Sequence, residues 1–497
     1  MKGPPLEPIT NTPMLITYAD SLGGDLPALE AALDGPFSGA FGGVHILPFY
    51  PASGDRGFAV IDYDIVDPAF GSWDDLERIA SRYYVMADFM INHVSVRSAE
   101  FRDYMARGDA SPYRDMFIHW NDFWPQGEPT EEEMAALYRR KATGPVKDFT
   151  RDDGTVVRLW NTFFDEQVDI DPWQPVTQQY FERNLGRLAQ LVPLIRFDAF
   201  AYASKRAGTS CFFVEPEVWD VLEIGMRPLE EHGAQMLPEI HENYHIQLAM
   251  AEKGHWVYDF ALPMLMLHTI FSADTTRLRY WLDICPRKQF TTLDTHDGIG
   301  VVDVVGLLTD AEIEAVSDRV NEAIEPLRQY FPPMPGMITR GKEKTRQYQL
   351  MSSFFSALGD DEAAMLLARV VQLWVPGIPQ VYYVGALFGA NDVDALRASG
   401  DPRASNRHDF TSDEIAAAVE RPVVAAFLEV LRFRRSSLAF DGSFRSDAAA
   451  EPHMLDLTWT NEDASARIVA DFTSKSFSVT ATEGGVERVI FEQAGLV

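Results

Sequence analysis

The chain has 497 residues, which is too long for one small domain. Of these residues 46% are hydrophobic and 24% are charged, a composition that is ordinary for a globular protein. Its 74 acidic and 43 basic residues leave a net charge of −31, which argues against nucleic acid or an anionic membrane as a partner. The two cysteines, Cys211 and Cys285, fit no metal or redox spacing, so we expect a reduced, cytoplasmic protein.

Eight short apolar runs predict eight buried strands. Segments with helical periodicity lie between them, for example from Trp73 to Arg82 and from Pro175 to Leu191. This alternation predicts an α/β fold, a (β/α)8 TIM barrel with its active site at the carboxyl ends of the strands. The predicted strands are Met14–Tyr18, Val44–Pro48, Val85–Ile91, Leu191–Asp198, Gln235–Ile240, Trp256–Leu262, Phe290–Leu293 and Ile378–Val384.

Two insertions and a terminal module complete the predicted architecture. Residues 94–172 are expected to form an inserted domain B, and residues 299–359 a second insertion, B′, with a helix and a basic loop. From residue 441 to 497 the apolar pattern alternates, which predicts a small antiparallel β domain. The barrel itself is then divided over residues 1–93, 173–298 and 360–440.

We expect neither an export signal nor a membrane span. The first residues, MKGPPLEPITNTP, lack the apolar core of a signal peptide. The apolar region from Met365 to Leu387 is interrupted by Arg369, Gln372 and two prolines, which is not typical of a transmembrane helix.

The fourth predicted strand carries two charges. Arg196 and Asp198 are two residues apart, so their side chains lie on the same face of the strand. A buried carboxylate is costly unless it is paired, and Arg196 is the obvious partner for Asp198. A structural ion pair is the simplest explanation, but two further carboxylates follow neighbouring strands.

These carboxylates are Glu239 in LPEIHE and Asp297 in LDTHDGIG. Two carboxyl groups flanking one bond, one ionised and one protonated, are the equipment for cleaving a glycosidic bond. Arg196 favours the ionised form of Asp198, which suits a nucleophile. Glu239 follows an apolar run and has no adjacent cation in sequence, so we expect it to carry a proton and act as general acid and base. Asp297 would be a third anion that stabilises an oxocarbenium-like transition state.

Motifs along nearly the whole chain resemble the sucrose phosphorylase branch of the α-amylase superfamily of retaining glycosidases. They include GGVHILPFYP, GDRGFAVIDY, DFMINHVS, LWNTFFDEQVDID, IRFDAFAY, LPEIHENY, FTTLDTHDGIG, PGIPQVYYVG and SNRHDF. The resemblance implies that Asp198 is the nucleophile, Glu239 the acid/base and Asp297 the transition-state stabiliser.

The resemblance also implies a glucose pocket. Asp55 and Arg407 would grip the far hydroxyls, Phe58 and Phe163 would offer aromatic faces, and His93 and His296 would bind hydroxyls. Tyr202 and Gln349 would line the acceptor side. Taken without the resemblance, a polar turn at Asp55 and a core position of Phe163 are explanations as good as the functional ones. For His93 alone, a satisfied histidine at a strand end is the better explanation.

The superfamily often binds calcium beside an asparagine placed like Asn92, but this branch does not depend on the ion. No cluster of oxygen ligands is evident near Asn92 in the sequence. We therefore expect no metal and no cofactor, with inorganic phosphate as co-substrate.

Two basic stretches are candidates for binding the acceptor. The first is residues 138–141, in which Arg140 resembles the phosphate-binding arginine of the family. In the second stretch, residues 340–349, the sucrose-specific members have Leu-Asp before Tyr348-Gln349, whereas this chain has Arg346-Gln347. Residues 340–346 hold four cations, Lys344 and Arg346 among them, and one acid. In so acidic a protein, this patch predicts an additional anionic group on the acceptor, and hence sucrose 6′-phosphate as the substrate.

Several alternatives stay open. The alternative explanation of the basic loop is a solvated surface turn, with plain sucrose as the substrate. Acceptor loops diverge easily, so another glucoside, such as glucosylglycerol or glucosylglycerate, is a further candidate. A hydrolase or transglucosidase would lack the basic acceptor loops, and a non-catalytic transporter subunit would lose the three carboxylates and carry a membrane helix. The expected partners are a small sugar and phosphate, without nucleic acid or membrane.

Overall fold

The computed structural model describes residues 7–141, 143–325, 327, 348–447 and 451–494, and the backbone of 337–338 and 346–347. Its strands, in chain order, are β1 (Met14–Thr17), β2 (Gly43–Ile46), β3 (Tyr84–Met90), β4 (His93–Ser95), β5 (Val146–Thr150), β6 (Val156–Trp160), β7 (Gln167–Asp169), β8 (Leu194–Asp198), β9 (Gln235–Pro238), β10 (Val257–Asp259), β11 (Gln289–Thr291), β12 (Ile299–Gly300), β13 (Met337–Ile338), β14 (Arg346–Gln347), β15 (Gln349–Leu350), β16 (Ile378–Tyr382), β17 (Ser443–Ser446), β18 (Met454–Thr460), β19 (Ala464–Asp471), β20 (Ser476–Glu483) and β21 (Val486–Gln493).

The α-helices are α1 (Leu26–Asp34), α2 (Trp73–Ala80), α3 (Ala99–Arg107), α4 (Trp120–Phe123), α5 (Glu131–Ala136), α6 (Pro175–Leu188), α7 (Phe200–Ala203), α8 (Glu217–Glu230), α9 (Tyr244–Glu252), α10 (Leu262–Ser272), α11 (Thr276–Ile284), α12 (Asp310–Ala323), α13 (Phe354–Ala357), α14 (Glu362–Trp374), α15 (Tyr383–Ala386), α16 (Val393–Ser399), α17 (Ser412–Val419) and α18 (Pro422–Ser436). Among the described residues, no helix combines the length and apolarity needed to cross a membrane.

The eight predicted barrel strands are all present, and the fold class is confirmed. The barrel sheet has the order β10-β11-β16-β1-β2-β3-β8-β9. Strand bounds differ from the predicted runs by a few residues, because an apolar run does not show where ladder pairing stops. The helix predicted in the second insertion is α12, whose first turn is closed by a capping box between Thr309 and Glu312.

The chain falls into two compact units. The first contains Ile46–Ile240, with the parallel strands β3, β8 and β9. Most of their residues are buried, as expected for strands covered on both faces. In this unit the segment after β3 carries the hairpin β5–β6 and an aromatic core that includes Trp120, Trp124 and Trp160.

The second unit contains Ile9–His45, the region from His241 and the carboxyl-terminal part of the chain. Here β10, β11, β16 and β1 pair in parallel. The predicted carboxyl-terminal β domain is a five-stranded antiparallel sheet, β17 to β21, and the sequence pattern missed its first strand, Ser443–Ser446. Trp459 donates from its indole nitrogen to the carbonyl oxygen of Trp374 at 2.8 Å, which fixes this sheet on α14. The predicted division into six segments stays a prediction.

Candidate active site

Arg196 is the electrostatic centre of the first unit. Its Nη1 lies 2.5 Å from Asp88 Oδ1 and 3.0 Å from Asp198 Oδ1, and its Nη2 lies 3.6 Å from Glu239 Oε1. Asp88 and Arg196 are register partners on β3 and β8, and Glu239 directly follows β9 beside them. The pairing of Arg196 with Asp198 is confirmed. Sequence reasoning missed Asp88, although a carboxylate inside the apolar run Val85–Ile91 is a signal that could have revealed it.

Glu239 has no adjacent cation in the sequence, but the neighbouring strand β8 places Arg196 beside it. A second contact comes from the turn after Asp198, where the backbone N–H of Ala199 donates to Glu239 Oε2 at 3.2 Å. Ala199 has a left-handed φ of 55°, a conformation that costs a non-glycine residue about 1–2 kcal/mol. The chain therefore accepts strain to direct this N–H at Glu239.

Aromatic residues lie around this charge cluster. The guanidinium carbon of Arg196 is 5.8 Å from the ring centroid of Phe58. The ring of Phe163 lies 5.4 Å from that of His93 and 4.9 Å from that of Tyr202. The structure thus brings together three residues assigned to the glucose pocket, Phe58, His93 and Phe163, and Tyr202 of the acceptor side, in the same unit as Asp198 and Glu239.

His93 is held by the protein on both sides of its ring. Its Nε2 contacts the carbonyl oxygen of Phe58 at 3.2 Å, and its Nδ1 lies 3.4 Å from Asn92 Nδ2. Burial lowers the pKa of His93 to about 4, against the opposing effect of Asp169. The ring is neutral at pH 7, and Nε2 must donate to the carbonyl. A role in hydroxyl binding stays a prediction, because these contacts equally fit a satisfied histidine at a strand end.

Two further predicted residues of this unit have local partners. Asp55 Oδ2 accepts a hydrogen bond from Gln167 Nε2 at 3.3 Å, and Asp55 has a left-handed φ of 51°. Arg140 lies with its guanidinium carbon 5.9 Å from the ring centroid of Phe163. The candidate phosphate-binding arginine is thus beside an aromatic residue of the candidate glucose pocket.

Asp297 is the centre of a charge cluster in the second unit. Its Oδ1 lies 3.1 Å from Arg403 Nη2 and 3.8 Å from Arg407 Nη2, and its Oδ2 lies 3.8 Å from His296 Nε2. Arg407 also donates from Nε to the carbonyl oxygen of His296 at 2.8 Å. Burial disfavours the charged carboxylate, but the electrostatic effects of Arg403, His296 and Arg407 outweigh it and hold the pKa of Asp297 well below its usual range. Sequence reasoning missed Arg403 as a partner of Asp297, although Arg403 lies only four residues before Arg407.

The acceptor residues are described in part. Tyr348 and Gln349 are buried, whereas Lys344 and the side chain of Arg346 lie outside the described residues. The ring of Tyr348 is 5.9 Å from that of His241, whose Nδ1 is 3.2 Å from Asp303 Oδ2. Sequence reasoning missed His241, which lies two residues after Glu239 in the motif LPEIHE.

Comparison with known proteins identifies the family. The α-amylase catalytic-domain profile matches residues 37–210. A sucrose phosphorylase of Streptococcus mutans is 47% identical over 435 residues, which covers 87% of this chain and 89% of the relative. The chain belongs to the sucrose phosphorylase branch of the α-amylase superfamily. A sucrose 6(F)-phosphate phosphorylase of Thermoanaerobacterium thermosaccharolyticum is 36% identical and covers 95% of this chain and 96% of the relative.

The solved structures agree. The crystal structure of sucrose 6F-phosphate phosphorylase from Thermoanaerobacter thermosaccharolyticum matches with a TM-score of 0.92 at 35% identity, over 97% of this chain and 99% of that one. As a member of the sucrose phosphorylase branch, the protein is an enzyme, a glycosyltransferase that acts as a disaccharide phosphorylase.

In this phosphorylase the region around Asn92 does contain an oxygen cluster, contrary to expectation. Asn92 Oδ1, Asp169 Oδ2 and the carbonyl oxygen of Tyr202 converge at 2.9, 2.9 and 2.5 Å, but they converge on Lys205 Nζ. An ammonium group among these oxygens supplies the positive charge that a calcium ion would bring, so the residues present do not fit the ion. That the phosphorylase works without a metal stays a prediction.

Proposed function

We propose that this phosphorylase converts sucrose 6′-phosphate and phosphate into α-D-glucose 1-phosphate and D-fructose 6-phosphate by double displacement. The observation that carries the glycosidic chemistry is the shared guanidinium group of Arg196, which contacts both Asp198 and Glu239. One cation keeps the two carboxyl groups close together, as a retaining mechanism needs. For such a mechanism we expect their oxygens to be about 5–5.5 Å apart.

In the first step, Asp198 attacks the anomeric carbon while the bond to the fructosyl oxygen breaks. Glu239 gives its proton to that oxygen, and a β-glucosyl ester of Asp198 results. In the second step, an oxygen of phosphate attacks the same carbon and the ester bond breaks. Glu239 takes the proton that the phosphate loses, and two inversions leave the product in the α configuration.

The charges of two further residues, Asp297 and Arg140, support this assignment. Asp297 remains ionised because arginines surround it, so it can stabilise positive charge that develops on the sugar ring. Arg140 carries a permanent positive charge beside Phe163 and suits a phosphate-binding residue.

Residues 340–346 are the part of the sequence that favours a phosphorylated acceptor. Their four cations and one acid, with Arg346-Gln347 where sucrose-specific members have Leu-Asp, favour an additional anionic group on the fructosyl unit. The 36% identical relative that acts on sucrose 6(F)-phosphate gives this proposal independent support.

Plain sucrose is the second candidate, because the Streptococcus mutans relative is a sucrose phosphorylase with 47% identity. The test is phosphorolysis of sucrose against sucrose 6′-phosphate, with glucose 1-phosphate release as the measurement. We expect the higher kcat/KM on the phosphorylated sugar, and a higher value on plain sucrose would contradict the proposal.

A variant locates the specificity. Arg346→Ala should lower kcat/KM for the phosphorylated substrate at least tenfold and leave that for plain sucrose within about twofold, since only one substrate offers the charge. Arg445→Ala, an exposed arginine on β17 paired with Asp447, is the matched control and should change neither value.

We also infer that the enzyme works in the cytoplasm. Both cysteines are free thiols and both are buried, as suits a reducing compartment. A sugar phosphate and inorganic phosphate are its proposed small-molecule partners.

A further inference from the structure

Lys205 follows α7 and is almost fully buried, with 3% of its side chain exposed. An ammonium group has three N–H donors, and the three oxygens described above, from Asn92, Asp169 and Tyr202, accept one each. These acceptors come from the end of β3, from β7 and from α7. A single side chain thus joins two barrel strand ends to the segment inserted between them.

The acceptors are in turn fixed to each other. Asn92 Nδ2 donates to Asp169 Oδ2 at 3.1 Å. Thr162 donates to the same carboxylate from its hydroxyl at 2.5 Å and from its backbone N–H at 2.9 Å. Burial opposes ionisation of Asp169, but Lys205 and Thr162 outweigh it and lower its pKa. Lys205 and Asp169 therefore form a buried ion pair, and each of the contacts described here joins a donor to an acceptor.

Each anchored position is, or adjoins, a residue of the candidate substrate site. Asn92 precedes His93, Thr162 precedes Phe163, and Tyr202 is itself anchored through its carbonyl oxygen. The rings of these three residues lie within 4.9 to 5.4 Å of one another in the pairs His93–Phe163 and Phe163–Tyr202. A displacement of any anchor would shift a ring directly.

We infer that Lys205 is a positioning residue for the substrate site. It sets the relative placement of His93 and Phe163 of the glucose pocket and of Tyr202 on the acceptor side, without touching the substrate. The inference rests on the proposed function in one respect, the assignment of these three rings to the sugar. The alternative is that Lys205 only compensates the buried charge of Asp169, which would make it a stabilising residue with no effect on the pocket.

A charge-neutral double variant separates the two roles. Lys205→Met with Asp169→Asn removes both charges, so neither is left buried alone, but it also removes the donors to Asn92 and Tyr202. The readout is isotope exchange between inorganic phosphate and α-glucose 1-phosphate, which requires the glucosyl site and no sugar acceptor. A wrong acceptor assignment therefore leaves the exchange measurable, and the two proposals fail independently.

For positioning, we expect the double variant to raise the KM for glucose 1-phosphate and to lose at least tenfold in kcat/KM of exchange, at a melting temperature within a few degrees of wild type. Exchange at the wild-type rate would overturn the inference. Lys288→Ala, an exposed lysine that donates to the carbonyl oxygen of Gly254, is the control and should behave as wild type.

A second variant tests the inference if the double variant does not fold. Lys205→Arg keeps the positive charge next to Asp169, but its longer planar group cannot place three donors at the same point. A folded Lys205→Arg protein with at least tenfold weaker exchange supports positioning. Wild-type exchange in this variant would show that charge alone matters and would contradict the inference.

Discussion

The backbone N–H of Ala199 donates to Glu239 Oε2 at 3.2 Å, so the turn that follows the candidate nucleophile binds the candidate acid/base. The turn is possible only because Ala199 adopts a left-handed conformation, with φ 55°. Asp198 and Glu239 are therefore joined twice, through Arg196 and through this N–H. A change in the backbone conformation of the turn should affect both carboxyl groups together.

The first prediction concerns this turn. Ala199→Gly should keep activity within a fewfold, because glycine adopts a positive φ without strain. Ala199→Val should destabilise the fold by at least about 1–2 kcal/mol, since a β-branched residue is a poor fit to the left-handed region, and should lower kcat as the N–H moves away from Glu239. Thermal unfolding and phosphorolysis rates check both. Equal behaviour of the two variants would mean that the backbone conformation is unimportant.

The second prediction concerns Arg196. Arg196→Lys should lower phosphorolysis at least about a hundredfold, because a compact ammonium group cannot match the geometry of three carboxylates on one planar fork. Some destabilisation, up to about 3–5 kcal/mol, is expected from buried carboxylates left without a close cation.

Arg187→Lys is the control for Arg196, because Arg187 pairs with Asp64 at 2.9 Å on the surface. Exposed pairs contribute about 0–1 kcal/mol, so this change should alter neither rate nor stability measurably. If Arg196→Lys were as mild as the control, Arg196 could not be organising the site.

The third prediction separates nucleophile from acid. Glu239→Gln should lose about 10²–10⁴-fold on a sugar leaving group, which needs protonation, and keep most of its first-step rate on α-glucosyl fluoride, which does not. Asp198→Asn should lose both activities because no glucosyl ester can form. The measurements are the initial burst of fluoride and the release of glucose 1-phosphate. The opposite pattern would reverse the two roles.

The fourth prediction is a pH dependence of stability. Burial depresses the pKa of His93 from 6.5 to about 4 in the folded protein, so between these values the unfolded chain binds the extra proton. Stability then rises with pH across this window, and the contribution present above pH 6.5 is lost as the pH falls to about 4. At about 1.4 kcal/mol per pH unit, the loss reaches up to about 3 kcal/mol.

Denaturant unfolding at pH 7 and pH 4.5 checks this. The difference in the free energy of unfolding should shrink in His93→Gln, which has no proton to gain in this range. His232→Gln, at an exposed position, is the control and should keep the wild-type difference. An unchanged difference in His93→Gln would show that the imidazole is accessible to protons in the folded state.

The sequence was sufficient for the fold class and for the three carboxylates. Parallel strands covered on both faces are continuous apolar runs, so all eight were visible, and a charge directly after such a run stands out against it. The helix of the second insertion, α12, was likewise predicted. The strand Ser443–Ser446 was missed because it is short and half exposed, with no apolar alternation to mark it.

What only the tertiary structure decided is which charges meet. Arg196 was paired in sequence with Asp198 alone, but the lateral register of β3, β8 and β9 adds Asp88 and Glu239 to the same guanidinium group. Lys205 and Asp169 are likewise 36 residues apart along the printed chain yet form one buried pair. Periodicity depends on residues that are neighbours along the chain. Electrostatic pairing in a parallel sheet depends on residues that are neighbours across the sheet. Long crossover connections separate such residues in sequence, so their pairing leaves no local pattern.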